Sequence, residues 1–139
     1  MAANLPRAVR TPPVPFLTRV NMGTHPRCRF DRIVIHFPGR VPGYQVKYVS
    51  ARSAGRAARS IAARGDHYLM ITVYPAQSHR RSGASTVSPT SARAAFPVLR
   101  GYSVASDFEG VVSVVAVVTK APPFRVGILH KRLYVDVYG

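Results

Sequence analysis

The sequence predicts an all-β domain, a small β-sandwich of about seven to nine short strands with one long polar loop. Three observations predict it. Apolar residues recur with a period of two along most of the chain, as they do in half-buried strands. Turn-forming Pro and Gly punctuate these runs at short, regular intervals. The longest apolar stretch, residues 111–118, is broken by Ser113 and falls well short of the roughly 18 residues needed to span a bilayer, so it reads as a buried strand. At 139 residues and 47% hydrophobic content, the chain is long enough to bury a core and too apolar for wholesale disorder.

Residues 1–15 carry Pro6, Pro12, Pro13 and Pro15, which prevent a helix and favour an extended, solvated, basic linker. The folded domain is expected over residues 16–139. In 30–37, Ile33, Ile35 and Phe37 share one face while Arg32, Val34 and His36 share the other. Pro38–Gly39 ends that strand. Val41, Pro42 and Gly43 make a second turn, and Tyr44, Val46 and Tyr48 then alternate against Gln45 and Lys47. Residues 67–74 are rich in β-branched and aromatic types and stop at Pro75; 101–106, 111–119, 124–129 and 133–138 complete the series. Two segments break the alternation. Residues 51–64 place Arg52, Arg56 and Arg59 at helix-like spacing, but Gly55 interrupts them and the apolar side is almost only alanine. The expectation there is a mobile basic loop leading into a short strand near 60–62. Residues 78–95, dense in Ser, Thr, Arg and Gly, read as a long connection of the kind that carries binding function.

The net charge of +15 is the largest compositional anomaly: Arg supplies nearly all of it, and only Asp31, Asp66, Asp107, Glu109 and Asp136 oppose it. Such a surface attracts anions, whether nucleic acid, lipid head groups or acidic polymers, or it reflects a coding bias toward arginine. The single cysteine, Cys28, excludes an internal disulfide and a Cys-rich zinc site, and a lone cysteine is more often incidental than reactive. The opening residues, MAANLPRAVRTPPVPF, show no apolar export segment.

The chemistry-bearing residues are sparse. Asp31–Arg32 reads as a fold-specific ion pair at a strand entrance or as a ligand contact, and the structural role is the safer reading. Residues 107–110 read as a turn in which Asp107 bonds back to the chain and Gly110 takes a positive φ. Asp107 and Glu109 are two carboxylates, but both lie in one turn, whereas glycoside hydrolysis needs them on opposite sides of a sugar bond. The histidines at 25, 36, 67, 79 and 130 are scattered, so no metal site and no cofactor are expected. His79 reads as a loop-pinning hydrogen bond. The chain has no Gly-x-Ser-x-Gly elbow and no phosphate-cradling glycine loop, and a catalytic role is not expected. Its tyrosines fall mostly on strands; interleaved with arginine they could stack on bases or sugars, though strand tyrosines more often pack the sheet edge.

Three blocks resemble the AMIN-like domains of actinobacterial secreted proteins and lipoproteins. They are FDRIVIHFPGRVPGYQVKYV at 30–49, LMITVYPAQSH at 69–79, and SDFEGVVSVVAVV followed by APPFRVGILHKRLYVDV at 106–137. The residues carrying the likeness are Asp31, Arg32, Gly43, Tyr44, Pro75, His79, Asp107, Phe108, Glu109, Gly110, Phe124, Arg125 and Asp136. All of them are expected to be structural. The resemblance implies a β-sandwich related to the AMIN domain and a non-enzymatic, envelope-associated or secreted binding module. Its partner would be an anionic cell-wall polymer or an envelope protein. This chain departs from its relatives in its strong basic charge and in showing no export signal or lipid-attachment cysteine. An envelope location therefore implies a start codon further upstream. The alternative is a cytoplasmic protein binding nucleic acid through its charge. Arg52, Arg56, Arg59, Arg64, Arg80 and Arg81 are the candidate anion contacts.

Overall fold

The computed structural model describes residues 2–5, 16–79, 82–108 and 110–139. The strands are β1 (Ala2–Leu5), β2 (Arg19–His25), β3 (Phe30–His36), β4 (Gly43–Val49), β5 (Asp66–Tyr74), β6 (Ser91–Arg93), β7 (Leu99–Phe108), β8 (Val111–Thr119), β9 (Phe124–Leu129) and β10 (Arg132–Tyr138). Two short helices, α1 (Ala51–Ala54) and α2 (Arg56–Ile61), separate β4 from β5. All strand pairings within the two sheets are antiparallel. A six-stranded sheet runs β1-β4-β5-β8-β7-β6, and a four-stranded sheet runs β2-β3-β10-β9.

The expected all-β sandwich is what the chain forms. One apolar core joins the two sheets: Ile33, Ile35, Leu133, Val135 and Val137 from the smaller meet Val46, Leu69, Ile71, Val73, Val112, Val114 and Ala116 from the larger. Strict alternation along β3 and β5 buries every second side chain, which fixes the register, because a one-residue slip would turn the apolar row outward. Of the expected linker 1–15, only 2–5 fall within the described residues, and these pair with β4 along the sheet edge rather than lying free in solvent. Both outermost strands of the large sheet are short, as edges that resist further pairing usually are.

β8 departs from alternation: residues 112–118 are all buried. A strand reads as a continuous apolar run when both of its faces are covered. Val112, Val114, Ala116 and Val118 fill the sandwich core, while Val115 and Val117 face the other way, under the helices.

That helical layer corrects the expectation of a mobile loop and a strand near 60–62. Ala54 and Ala58 are 1% and 0% exposed and rest on Val115 and Val117. The alanine-only face, read as too weak to hold a helix, is what lets the helix backbone approach the sheet. Tertiary packing, not propensity, stabilises helices this short. The Ser50 hydroxyl caps α1 through the Ser53 amide at 3.3 Å, and Gly55 (φ +90°) divides the helices instead of abolishing them. The close approach also reaches β7. A Cβ on Gly101 would stand 2.4 Å from the Ala92 carbonyl oxygen and 2.9 Å from Ile61 Cγ2, so only glycine fits there.

The long connection between β5 and β7 is fastened to the body. Val87 is buried, the Thr86 hydroxyl donates to the Leu17 carbonyl at 2.6 Å, and the Tyr102 hydroxyl donates to the Pro89 carbonyl at 2.7 Å.

Candidate functional site

Of the likeness-bearing residues, Asp31, Arg32, Phe124, Arg125 and Asp136 divide between the two faces of the small sheet, and the other described ones lie in the large sheet and its turns. Asp31 and Arg32 do not pair with each other, contrary to expectation, because consecutive strand residues point to opposite faces. Asp31 faces inward and is 1% exposed. Its carboxylate accepts hydrogen bonds from the Val98 and Leu99 amides at 2.7 and 2.8 Å and from the Thr24 hydroxyl at 2.6 Å. It thereby ties the small sheet to the first residue of β7 in the large one. A buried carboxylate satisfied by three donors is a structural fastening.

Arg32 faces outward and meets Asp136, its register partner on β10. Arg32 Nε and Nη2 grip the two carboxylate oxygens at 2.6 and 3.0 Å, a bidentate fork, and Arg125 Nη2 reaches Asp136 at 3.1 Å from β9. Asp136 is fully buried although it lies on the outer face, because the two guanidiniums and their neighbours roof it over. The guanidinium of Arg32 also stands 4.2 Å from the Tyr134 ring centroid and 5.5 Å from that of Phe30. Phe30 in turn stacks on His25 and packs against Tyr138. The hydrogen bonds from Arg32 to Asp136, reinforced by the opposite charge, hold the Arg32 pKa above its ordinary value against the cost of burial. The same partner raises that of Arg125.

The third cluster joins the 75–79 turn to the β7–β8 hairpin. Pro75 follows β5 through a cis peptide bond, and the Ala76 amide donates to the Gly110 carbonyl at 2.8 Å. Gly110 has the positive φ expected of it, +78°. The bonds of Asp107, however, run across the fold and not within its own turn: Oδ2 accepts from the Ser78 amide and hydroxyl, each at 2.9 Å, and pairs with His79 Nδ1. Burial pushes the Asp107 carboxyl up, but the bonds from His79 and Ser78 outweigh it and hold its pKa below the usual carboxylate value. Ser78, His79 and Asp107 share residue types with a hydrolytic triad but not its order. In a triad the histidine lies between nucleophile and acid, whereas here the serine donates directly to the aspartate. Phe108 ends β7, and Glu109 lies outside the described residues. Gly43 and Tyr44 open β4, with Tyr44 in the core; Phe124 is in the core against the edge of the Tyr48 ring. The Tyr48 hydroxyl donates to the Pro122 carbonyl, and burial pushes its pKa up to about 12.

The candidate anion contacts are brought together only in part. Arg52, Arg56 and Arg59 stand exposed on the helical layer, and Arg64 is exposed just beyond it. Arg59 donates to the Ala51 carbonyl at 3.0 Å. Arg80 and Arg81 lie outside the described residues. Sequence reasoning missed Arg93 and Arg100, which line a cavity of about 510 Å³ at the end of α2. Arg93 Nη2 donates to the Ser60 carbonyl at 2.7 Å, so it extends the basic face onto the β6–β7 edge. No local pattern in the sequence places Arg93 beside a helix whose last residue lies 32 positions away.

Among the described residues no group of three or more His, Cys, Asp or Glu could hold a metal ion, Cys28 is free and exposed, and no helix is long and apolar enough to cross a membrane. The architecture is thus an antiparallel two-sheet domain, with one outer face covered by arginine-bearing helices and the other by an Arg–Asp–Arg cluster. The AMIN-like domain family model matches residues 15–139, and the chain belongs to that family. No curated protein and no solved structure shows a significant match to it. Membership points to an envelope-associated binding module of a family whose domains are generally non-catalytic.

Proposed function

We propose that the chain is a non-enzymatic binding module of the cell envelope that contacts anionic cell-wall polymer, or an acidic envelope protein, through its helical arginine face. One observation carries the reading: the charges are segregated. Asp31 and Asp136 are buried, Asp107 is held by Ser78 and His79, and Asp66 accepts from the Ala63 amide at 2.9 Å. Arg52, Arg56, Arg59 and Arg64 stand in solvent with no carboxylate partner among the described residues. Two described acids are thus buried and the other two hydrogen-bonded to the chain, while Arg52, Arg56, Arg59 and Arg64 remain outside, so the surface presented to a polyanion is more basic than the net charge alone implies. Flexible arginines on a rigid helical layer suit the repeating charges of a polymer better than a single small anion.

The test is sedimentation with cell-wall material, intact or stripped of its anionic polymer, at low and high salt. Binding is expected to follow the anionic polymer, to weaken steeply with salt, and to fall at least tenfold when Arg52, Arg56, Arg59 and Arg64 are all changed to Gln. Salt-independent binding, or an unchanged quadruple variant, overturns the reading. Tighter binding to duplex DNA than to the polymer would replace it with the nucleic-acid alternative.

A further inference from the structure

The four-stranded sheet ends in an edge unlike those of its neighbour. The large sheet is bounded by strands of four and three residues, whereas β9, six residues long, keeps an unbroken register with β10 and contains no proline. Its backbone phase follows from the Tyr138 amide bonding to the Pro123 carbonyl at 3.0 Å. In that phase Arg125, Gly127 and Leu129 direct their backbone groups to β10. Phe124, Val126 and Ile128 direct theirs to the free side, where no described strand pairs with them.

The side chains show the same opening. The inward row of β9 emerges from the core stepwise: Phe124 is 8% exposed, Val126 half-buried and Ile128 38% exposed. Ile128 and Leu129 are two of the three large apolar side chains exposed among the described residues, and they adjoin a concavity of about 360 Å³ flanked by Arg40, Val41 and Lys131. Proteins usually blunt such an edge with a bulge, a proline, an inward-pointing charge or charges along the rim. β9 has only the last of these, a guard against its own kind that an acidic partner would turn into an attraction. The charge that surrounds it is of one sign: Arg125 is 60% exposed, Arg40, Lys131 and Arg132 are exposed, and the nearest carboxylate, Asp136, is buried under its arginines.

We propose that β9 is a docking edge for an extended segment of a partner protein in which apolar and acidic residues alternate. Such a segment would add as a further strand and bond to the outward amides and carbonyls of Phe124, Val126 and Ile128. Its apolar side chains would cover Val126 and Ile128, and its carboxylates would lie beside Arg125 on the outer face. A second copy of this chain is a poor occupant: β9 against β9 places the arginines and lysines of two chains, each of net charge +15, in one seam. The inference stands apart from the polymer-binding reading, since it uses none of the helical arginines.

The test titrates the isotopically labelled full chain with a capped (Glu-Val)3 peptide, and with the same peptide N-methylated at alternate residues so that it keeps its charge but cannot pair. Amide hydrogen exchange is expected to slow at Val126 and Ile128, with little change at Arg125 and Gly127, which already bond to β10. The N-methylated peptide should bind at least tenfold more weakly. Ile128→Lys, a change at an exposed position, should weaken the first peptide at least tenfold while leaving polymer sedimentation unchanged, so the two readings fail separately. Equal binding of the two peptides, undiminished binding to I128K, or protection confined to the helices overturns the proposal. So does concentration-dependent self-association abolished by I128K, which would make the occupant a second copy.

Discussion

On the outer face of the six-stranded sheet, Ala54 and Ala58 press a helical layer onto Val115 and Val117; on the outer face of the four-stranded sheet, Arg32, Arg125 and Tyr134 lie over the strands themselves. The first arrangement covers the sheet with backbone and small side chains, so β8 can be apolar at nearly every central position and the arginines above it are left in solvent. The second covers the sheet with the arginines. Asp136 holds two of them in place, and the Tyr134 ring lies over Gly127, where a Cβ would come within 2.2 Å of the ring. The protein's basic residues therefore divide into arginines bound to a buried carboxylate and arginines that stand in solvent. Composition counts both alike.

The sharpest way to break this distinction is Arg32→Ala. It leaves a buried carboxylate with Arg125 as its remaining cation and strips the guanidinium from Tyr134. The expected loss is about 3 kcal/mol in denaturant unfolding, the low end for breaking a buried pair because Arg125 remains. On the other face, Ala58→Leu forces a larger side chain between α2 and β8. It should cost about 2 kcal/mol and speed amide exchange across α2, whereas Ala57→Leu, at an exposed helix position, should stay within about 0.5 kcal/mol.

Acid offers a milder probe of the small sheet. His36 lies in register between Arg19 and Arg132, and burial together with those two charges lowers its pKa below the ordinary histidine value. The native state then resists a proton that the unfolded chain accepts. Stability contributed by neutral His36 is complete above the unfolded value of about 6.5 and declines as the pH falls through it. In denaturant midpoints measured from pH 8 to 5, His36→Gln should flatten that decline. The smallest expected effect is on the exposed helical arginines: Arg52→Gln, Arg56→Gln and Arg59→Gln should each move stability by no more than about 0.5 kcal/mol. A loss approaching that of Arg32→Ala would erase the division between the two kinds of arginine.

Much of this fold is legible in the sequence where structure follows local pattern. β3, β5 and β10 announce themselves by alternation, and β8 by an apolar run too short for a membrane. β2 is not legible, since Asn21 and Gly23 dilute its alternation. The helices escape a sequence reading because an alanine face looks weak until the flat Val115–Val117 surface that receives it is known. The candidate site is legible as charge at Arg52, Arg56, Arg59 and Arg64. Its division from the structural arginines is not, because Arg32 and Asp136 are adjacent only in space. The same holds for Asp31, whose partners at Val98 and Leu99 no spacing rule could supply.

The distance between Arg32 and Asp136 along the chain also bears on how the protein is made. They are 104 residues apart. At a synthesis rate of about 5–20 residues per second, β3 waits on the order of 5–20 s for the strand that completes its sheet. Until then it can pair only with β2, as a hairpin whose Ile33–Ile35 face and open edge have no cover. The large sheet waits as well, because β5 needs β8. The nascent chain therefore carries its stickiest surfaces longest, uncovered until its last strands emerge and the sandwich can close.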